Sequence, residues 1–420
     1  MGVGGKDASR IATTLVRLLT SVAVAALSVS AAATSRAMAA PAPADPNHTP
    51  AACTPAWRTV SSPNLGSGDN ALAALDVISP TDIWAVGNSL SGDVRSTLVE
   101  HWDGSAWSLV PSPNGPEPIN WLTGVSAVSA NDVWAVGYSN DGNGFQGQSF
   151  TLTMHYDGTS WQTVPSPNPV PDPNPGNYAP TNELYAVHAI SANDVWAVGH
   201  TLTVTLEQTL ALHWDGSTWS NVPTPHPSRY SRLRSVDAAG PADVWAVGEI
   251  EKQGKQRTLT QHFDGTSWTT IRSPNDGVTV DYMSSVSVAA SNDVWVVGYH
   301  IAVIGRGQPY QTSSWHYDGT SWKLVDAPDV NQQNNYLRGV VAVPGRGAWA
   351  VGFWDTGTSL LTLTERWDGS AWTIVSSPNR SDVIDELVAV DSAKNGRWAV
   401  GDFFGFTSYR TEIQRFSCLV

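Results

Sequence analysis

The sequence predicts an all-β protein: a seven-bladed β-propeller of four-stranded antiparallel blades, with the last blade completed by the N-terminal strand. Three observations predict it. Trp-Ala-Val-Gly or a near copy occurs seven times, at intervals of 49 to 62 residues. Aromatic-Asp-Gly-(Ser/Thr)-x-Trp occurs six times, and Ser-Pro-Asn or a variant follows each repeat. Repeats of this length and number, each holding four short strands, are typical of propeller blades.

The second repeat shows how each unit divides into strands a to d. We predict strand a over residues 122–129, strand b over 132–138, strand c over 152–156 and strand d over 161–165. The Asp-Gly pair between c and d is a strong hairpin signal, because a type I′ turn needs positive φ at both central positions. A Trp at the same place in every unit predicts packing between blades.

The two ends of the chain are expected to share one blade. Residues 57–60, followed by Ser-Pro-Asn, match a strand d that has no a, b or c before it, whereas the last repeat stops after its strand c. The only cysteines, Cys53 and Cys418, align with the cut ends of this c-to-d hairpin. We predict a disulfide between them, which requires an oxidising compartment. The alternative is two buried free thiols.

The N-terminal segment indicates export. Basic residues precede an apolar run, and Ala-Met-Ala ends at residue 39, so we assign 1–39 to a signal peptide. Residues 40–52 form a Pro/Ala-rich disordered leader and 53–420 the single propeller. The alternative is a membrane anchor, but the apolar run is short and no stop-transfer charges follow it. We expect a secreted, extracellular protein that has no membrane association after cleavage.

The net charge and the lack of certain sequence motifs exclude several classes of function. The net charge is −14, and loss of the signal peptide, with its four Lys/Arg and one Asp, leaves −17. Nucleic acid is therefore excluded as a partner. The sequence contains no nucleophile elbow and no phosphate-binding glycine loop. No histidine pair has metal-ligand spacing, so we expect no metal. We also expect no cofactor and a monomeric protein.

Antiparallel blades place the near-invariant a-to-b and c-to-d turns on one face and the irregular b-to-c and d-to-a loops on the other. Because the loops on the irregular face differ between blades, they can carry binding or catalytic residues. Tyr185, Arg234 and Arg338 share one position in strand a, so their side chains are expected at the mouth of the central channel. The candidate ligand-binding residues on this face are Trp121, Glu183, Tyr185, His200, Arg234, Asp281, Tyr282, His300, Tyr336 and Arg338.

The repeated hairpin resembles the Asp-box of sialidase-type propellers, although here Gly follows Asp one residue sooner than in that motif. The whole mature chain looks like the tandem-repeat secreted propellers of bacteria, which include lectins and some polysaccharide lyases. This resemblance implies the propeller fold and a carbohydrate ligand.

Three functions stay open at this point. The first is a binding module, most simply for glycans, using the irregular face. The second is a polysaccharide lyase or glycoside hydrolase with one site at the channel mouth. In that enzyme Tyr185 or Tyr282 would handle a proton, and Arg234 or Arg338 would neutralise an acidic sugar. The third is a protein-binding scaffold using the same face.

Overall fold

The computed structural model describes residues 54–142, 147–170, 180–203, 205–302, 307–393 and 396–418. Across these ranges the chain forms β-strands and no helix, and therefore no helix that could cross a membrane. The predicted signal peptide, the leader and Cys53 lie outside the described residues. The strands fall into four equivalent sets, which correspond to positions a to d of the repeat.

The strands at position a are β2 (Asn70–Ser79), β6 (Ile119–Ser129), β10 (Thr181–Ser191), β14 (Ser231–Gly240), β18 (Val280–Ala290), β22 (Asn335–Val343) and β26 (Asp385–Ala393). Those at position b are β3 (Asp82–Ser91), β7 (Asp132–Asn140), β11 (Asp194–Leu202), β15 (Asp243–Lys252), β19 (Asp293–Ile301), β23 (Gly347–Asp355) and β27 (Gly396–Gly405).

The strands at position c are β4 (Val94–Trp102), β8 (Ser149–Tyr156), β12 (Glu207–Trp214), β16 (Lys255–Phe263), β20 (Gln311–Tyr317), β24 (Leu360–Trp367) and β28 (Ser408–Ser417). Those at position d are β5 (Trp107–Leu109), β9 (Trp161–Thr163), β13 (Trp219–Asn221), β17 (Trp268–Ile271), β21 (Trp322–Val325), β25 (Trp372–Ile374) and β1 (Ala56–Thr59).

These strands pair as a seven-bladed propeller, as predicted. Three blades, β14–β17, β18–β21 and β22–β25, are separate four-stranded antiparallel sheets. Three more, β2–β5, β6–β9 and β10–β13, are joined by single parallel contacts, Arg95 with Ile119 and Thr181 with Ser149. The seventh has the order β1-β28-β27-β26, so the N-terminal strand completes the C-terminal blade.

The closing strand is held by the same contacts that the Ser-Pro-Asn motif makes elsewhere. The backbone N–H of Thr411 donates to Asn64 Oδ1 at 3.1 Å, and the hydroxyls of Ser62 and Thr411 lie 2.6 Å apart. In the first blade, Thr97 N–H donates in the same way to Asn114 Oδ1 at 2.9 Å. The motif therefore fastens strand c of its own blade, and here it joins the two chain ends.

Tryptophans pack each blade against the next. The Trp of strand b meets the Trp of strand d in the following blade edge-to-face, with ring centroids 5.3 to 5.8 Å apart, and Trp57 completes the ring against Trp349. Edge-to-face geometry is favourable for aromatic pairs. The histidine before the hairpin aromatic has a similar structural role, since His101 hydrogen-bonds Asp82 at 2.8 Å and its ring centroid lies 4.4 Å from that of Trp84.

Each strand a contains a β-bulge, and this irregularity builds the channel. In every blade the register with strand b skips one residue opposite the glycine of Trp-Ala-Val-Gly. The skipped residues are Ala73, Thr123, Tyr185, Arg234, Ser284, Arg338 and Val388. A Cβ on that glycine would lie 1.8 to 2.0 Å from a carbonyl oxygen of strand a in all seven blades. Glycine is therefore required for the bulge to form.

The observed strands are longer at one end than predicted. Strand β6 begins at Ile119 rather than at residue 122, and β8 begins at Ser149 rather than at 152. Strand β9 ends at Thr163, two residues early. Apart from Ile119, the added residues are polar or aromatic. They lie at the irregular face, where the alternation of apolar and polar residues that marks a strand is lost.

Candidate functional site

The mouth of the central channel holds a cavity of about 440 Å³. Its large side chains are Tyr185, Arg234, Tyr282, Tyr299, Arg338 and Glu386, and its small or apolar ones are Ala73, Met283, Ser284 and Val388. Six of these ten are bulge residues. The structure thus brings Tyr185, Arg234 and Arg338 together, because each blade directs its skipped residue into the same channel. Tyr282 joins them from the preceding part of strand a.

One side of the mouth, formed by β10, β11, β14 and β15, is a hydrogen-bonded polar network. The Tyr185 hydroxyl donates to Glu183 Oε2 at 2.9 Å, and the Tyr185 ring stacks on His200 with centroids 5.3 Å apart. Arg234 donates through Nη2 to Glu249 Oε1 at 2.8 Å and through Nε at 3.1 Å. Most of the hydrogen-bonding capacity of this side is used within the protein.

The titration of these groups argues against acid–base chemistry near neutral pH. Burial, reinforced by the Glu183 carboxylate, holds the pKa of Tyr185 well above 10. Burial and the nearby charges of Arg232 and Arg234 hold the pKa of His200 well below 6.5, so its imidazole is neutral. Neither group is tuned towards neutral pH, where a general base works best. We therefore assign this side a structural and shaping role.

The other side of the mouth, formed by β18, β19 and β22, is aromatic. Tyr282 packs on Tyr299 with centroids 4.8 Å apart, and Tyr299 meets Tyr336 edge-to-face at 4.9 Å. Tyr336 also packs on Phe353 and on Tyr310, at 4.9 and 5.2 Å. Burial raises the pKa of Tyr299 and of Tyr336 to about 12, so both hydroxyls are neutral at physiological pH. This side offers ring faces and phenol hydroxyls.

Arg338 lies on the aromatic side. Its guanidinium carbon is 5.4 to 5.7 Å from the ring centroids of Tyr299, Tyr336 and Phe353, within cation–π range. Among the residues that the structure describes, no carboxylate oxygen lies within 4.0 Å of its guanidinium nitrogens, whereas Arg234 is paired with Glu249. Arg338 is therefore the cation of the cavity wall whose donors are not taken up by a protein carboxylate.

A carboxyl pair stands beside Arg338 on the last blade. Glu386 lines the cavity, and its cross-strand partner is Asp402. Burial raises the pKa of Glu386, although Arg338 opposes the rise. Burial, together with Glu386, raises the pKa of Asp402 to about 7. Asp402 is therefore a proton donor at mildly acidic pH.

Six predicted residues do not line this cavity. Glu183, His200 and Tyr336 contact wall residues, as described above. The other three are Asp281, His300 and Trp121. Asp281 is fully buried, where it accepts the N–H groups of Asp276 and Gly277 and pairs with Arg257 at 2.7 Å. His300 bonds Ser313 Oγ at 2.7 Å. Trp121 lies under the Arg95 guanidinium, whose carbon is 3.9 Å from the ring centroid. Asp281 and His300 are therefore bonded to protein groups and lie outside the cavity wall.

Two wall residues were absent from the predicted set, namely Tyr299 and Glu386. Tyr299 directly follows the glycine of its Trp-Val-Val-Gly motif, and the equivalent residues are Asn88, Tyr138, His200, Glu249, Phe353 and Asp402. A position that varies this widely next to an invariant motif is a signal of specialisation.

No group of histidine, cysteine or acidic side chains in the described part of the chain is arranged to hold a metal ion. In the b-to-c loop of the second blade, Gly142 N–H donates to Asn140 Oδ1 at 2.8 Å, and residues 143–146 lie outside the described part of the chain.

Comparison with known proteins supports the fold. No family model matches the sequence, and no curated protein matches it. Among solved structures, YCF48 bound to D1 peptide is similar with a TM-score of 0.52 at 13% identity, covering 89% of this chain and 100% of that one. YCF48 from Cyanidioschyzon merolae has a TM-score of 0.50 at 15% identity, covering 86% and 98%.

A second group of similar structures consists of polysaccharide lyases. An ulvan lyase of family PL25 has a TM-score of 0.53 at 11% identity, covering 84% of this chain and 97% of that one. The same lyase bound to -[GlcA(1-4)Rha3S]- has a TM-score of 0.51 at 10% identity, with the same coverage. At these identities the likeness shows the propeller fold alone.

Proposed function

We propose that this chain is a secreted carbohydrate-binding propeller that holds one acidic glycan segment at the channel mouth. The observation that carries the proposal is Arg338, a guanidinium set among three aromatic rings on the cavity wall without a carboxylate partner. A guanidinium recognises carboxylate and sulfate groups through two parallel hydrogen bonds.

The aromatic side supports a sugar rather than another acidic ligand. Flat ring faces pack against the C–H faces of sugar rings, and phenol hydroxyls bond sugar hydroxyls. Tyr282 and Tyr299 offer both kinds of surface on the cavity wall, and Tyr336 packs against Tyr299. The asymmetry of the mouth, with a polar network on one side and rings on the other, supports one site per chain.

An alternative is a sugar lyase or hydrolase at the same mouth. The observation that favours it is the carboxyl pair of Glu386 and Asp402, whose raised pKa values supply a proton donor next to Arg338. The weakness of this alternative is the absence of a matched base, since Tyr185 donates to Glu183 and His200 is buried. A protein-binding scaffold remains the third reading, and its partner would present an acidic side chain to Arg338.

The proposal is tested by screening the mature protein against acidic and neutral polysaccharides and acidic peptides, with detection of released or unsaturated sugars. We expect retention of uronate- or sulfate-bearing glycans, no products, and loss of retention in Arg338→Met. Arg272→Met, at an exposed position directly after strand β17, is the matched control and keeps binding. Products would establish the enzyme, and binding of peptides alone would establish the scaffold.

Export belongs to the same proposal. The chain collected from the medium should begin at Ala40, which its intact mass would show. Recovery of a full-length chain from the membrane fraction would favour the anchor instead.

A further inference from the structure

Neighbouring blades are joined at one repeated position of strand c that the binding site does not use. The residues there pair with the second residue of each Trp-Ala-Val-Gly motif, and they are Glu100, Met154, Leu212, Gln261, Trp315, Glu365 and Gln414. In three blades this residue donates to the carbonyl of the proline in the preceding Ser-Pro-Asn motif. The donors and distances are Gln261 to Pro225 at 2.7 Å, Gln414 to Pro378 at 2.8 Å and Trp315 to Pro274 at 3.0 Å.

In two other blades the position holds glutamate. Glu100 and Glu365 are both 0% exposed, and neither oxygen of either carboxyl has a hydrogen-bond donor among the described residues. An ionised carboxylate can only accept hydrogen bonds. It could therefore form none with the proline carbonyl, which is also an acceptor. A buried charge without a partner is also costly.

We infer that Glu100 and Glu365 are protonated carboxylic acids that donate to the carbonyl oxygens of Pro63 and Pro328 and so join adjacent blades. In this form each glutamate is the chemical equivalent of Gln261 and Gln414. The proline carbonyl can accept a second bond. Pro225 accepts from Thr209 Oγ1 at 3.2 Å as well as from Gln261, and Pro63 already accepts from Thr411 Oγ1 at 3.3 Å. Glu100 therefore fastens the N-terminal segment that closes the ring.

The surroundings agree with protonation. Glu100 lies between Ala85 and Leu109 on its neighbouring strands, and burial raises its pKa to about 8. Glu365 lies between Ala350 and Ile374, and burial together with the charge of Asp329 raises its pKa well above 4.5.

The sign of the pH dependence follows from these shifts. The folded chain keeps a proton that the unfolded chain releases above about pH 4.5, so the folded state binds more protons. For Glu100 the contribution to stability is full below about pH 4.5, declines as the pH rises, and is lost at about pH 8. Glu365 contributes to the pH dependence with the same sign.

The test is thermal unfolding at about pH 5 and about pH 8.5, the two ends of that window. Glu100→Gln and Glu365→Gln keep the donor without the titration, so each should melt within about a degree of the wild type at the lower pH. As the pH is raised from the lower to the upper value, the melting temperature of the double variant should fall by several degrees less than that of the wild type. Glu251→Gln, the same change at an exposed carboxylate, should keep the wild-type dependence.

Two further measurements separate the inference from a merely buried side chain. Glu100→Met places there the residue of the second blade, and it should melt below Glu100→Gln at both pH values. The infrared carboxylic-acid band at neutral pH should lose intensity in the double glutamine variant. An unchanged band, or a double variant whose melting falls with pH as steeply as the wild type, would overturn the inference.

Discussion

Replacing Gly248 by alanine should lower the free energy of unfolding by about 3 kcal/mol or more, the cost of severe overpacking. The new Cβ would lie 2.0 Å from the carbonyl oxygen of Arg232 and 3.0 Å from the Cα of Leu233. Both are backbone atoms, so no side chain can rotate away to relieve the contact. Strand a must instead move outward, which opens the bulge that directs Arg234 into the channel.

Gly240→Ala is the matched control, because it lies at the end of the neighbouring strand β14 and no atom lies within 4 Å of its would-be Cβ. Denaturant unfolding of the two variants gives the comparison. We expect the control to stay within about 0.5 kcal/mol of the wild type, as surface substitutions usually do. Equal stability of both variants would refute the account of the Trp-Ala-Val-Gly glycines.

The second large effect concerns the closure of the ring. Replacing Cys53 and Cys418 together by serine should lower the free energy of unfolding by about 2 to 5 kcal/mol, if the predicted disulfide forms. The reason is that β1 pairs with β28 from Ala56 opposite Ser417 to Thr59 opposite Gln414, so both cysteines adjoin the closing strand. A bond there would constrain nearly the whole unfolded chain.

Intact mass under non-reducing conditions checks this directly, since the disulfide removes two hydrogens from the chain. Unfolding with and without a reductant should differ for the wild type and coincide for the double serine variant. A wild type with two reactive thiols would contradict the pairing and favour the buried free thiols.

The channel mouth was partly predictable because repeats can be aligned with one another. Alignment alone places Tyr185, Arg234 and Arg338 in one column, and the bulge explains why that column faces the channel. Alignment could not say that Arg234 is neutralised, because Glu249 contacts it only through the register of β14 with β15. Only the three-dimensional structure shows which arginine is available to bind a ligand.

Asp281 shows a second limit. A carboxylate that ties down a loop through backbone N–H groups has the same sequence appearance as a carboxylate that faces a ligand. Asp385 is a parallel case, since it accepts the N–H groups of Arg380 and Ser381. In both cases the hydrogen bonds with the loop backbone account for a carboxylate at that position.

The wall residue Tyr299 was missed for a different reason. It lies one residue beyond a conspicuous motif, at the position of Tyr138, where the predicted strand b of the second repeat ends. Strand β19 continues to Ile301, which carries Tyr299 onto the cavity wall beside Tyr282. The residues that differ between blades lie at strand ends, where apolar and polar residues no longer alternate.

Calorimetric titration of the mature protein with a uronate- or sulfate-bearing oligosaccharide tests the central claim most directly. We predict one site per chain and an affinity that falls at least about tenfold in Arg338→Met, as expected for losing hydrogen bonds to a charged group. Several equivalent sites per chain, or an affinity indifferent to Arg338, would contradict it and place binding between the blades instead.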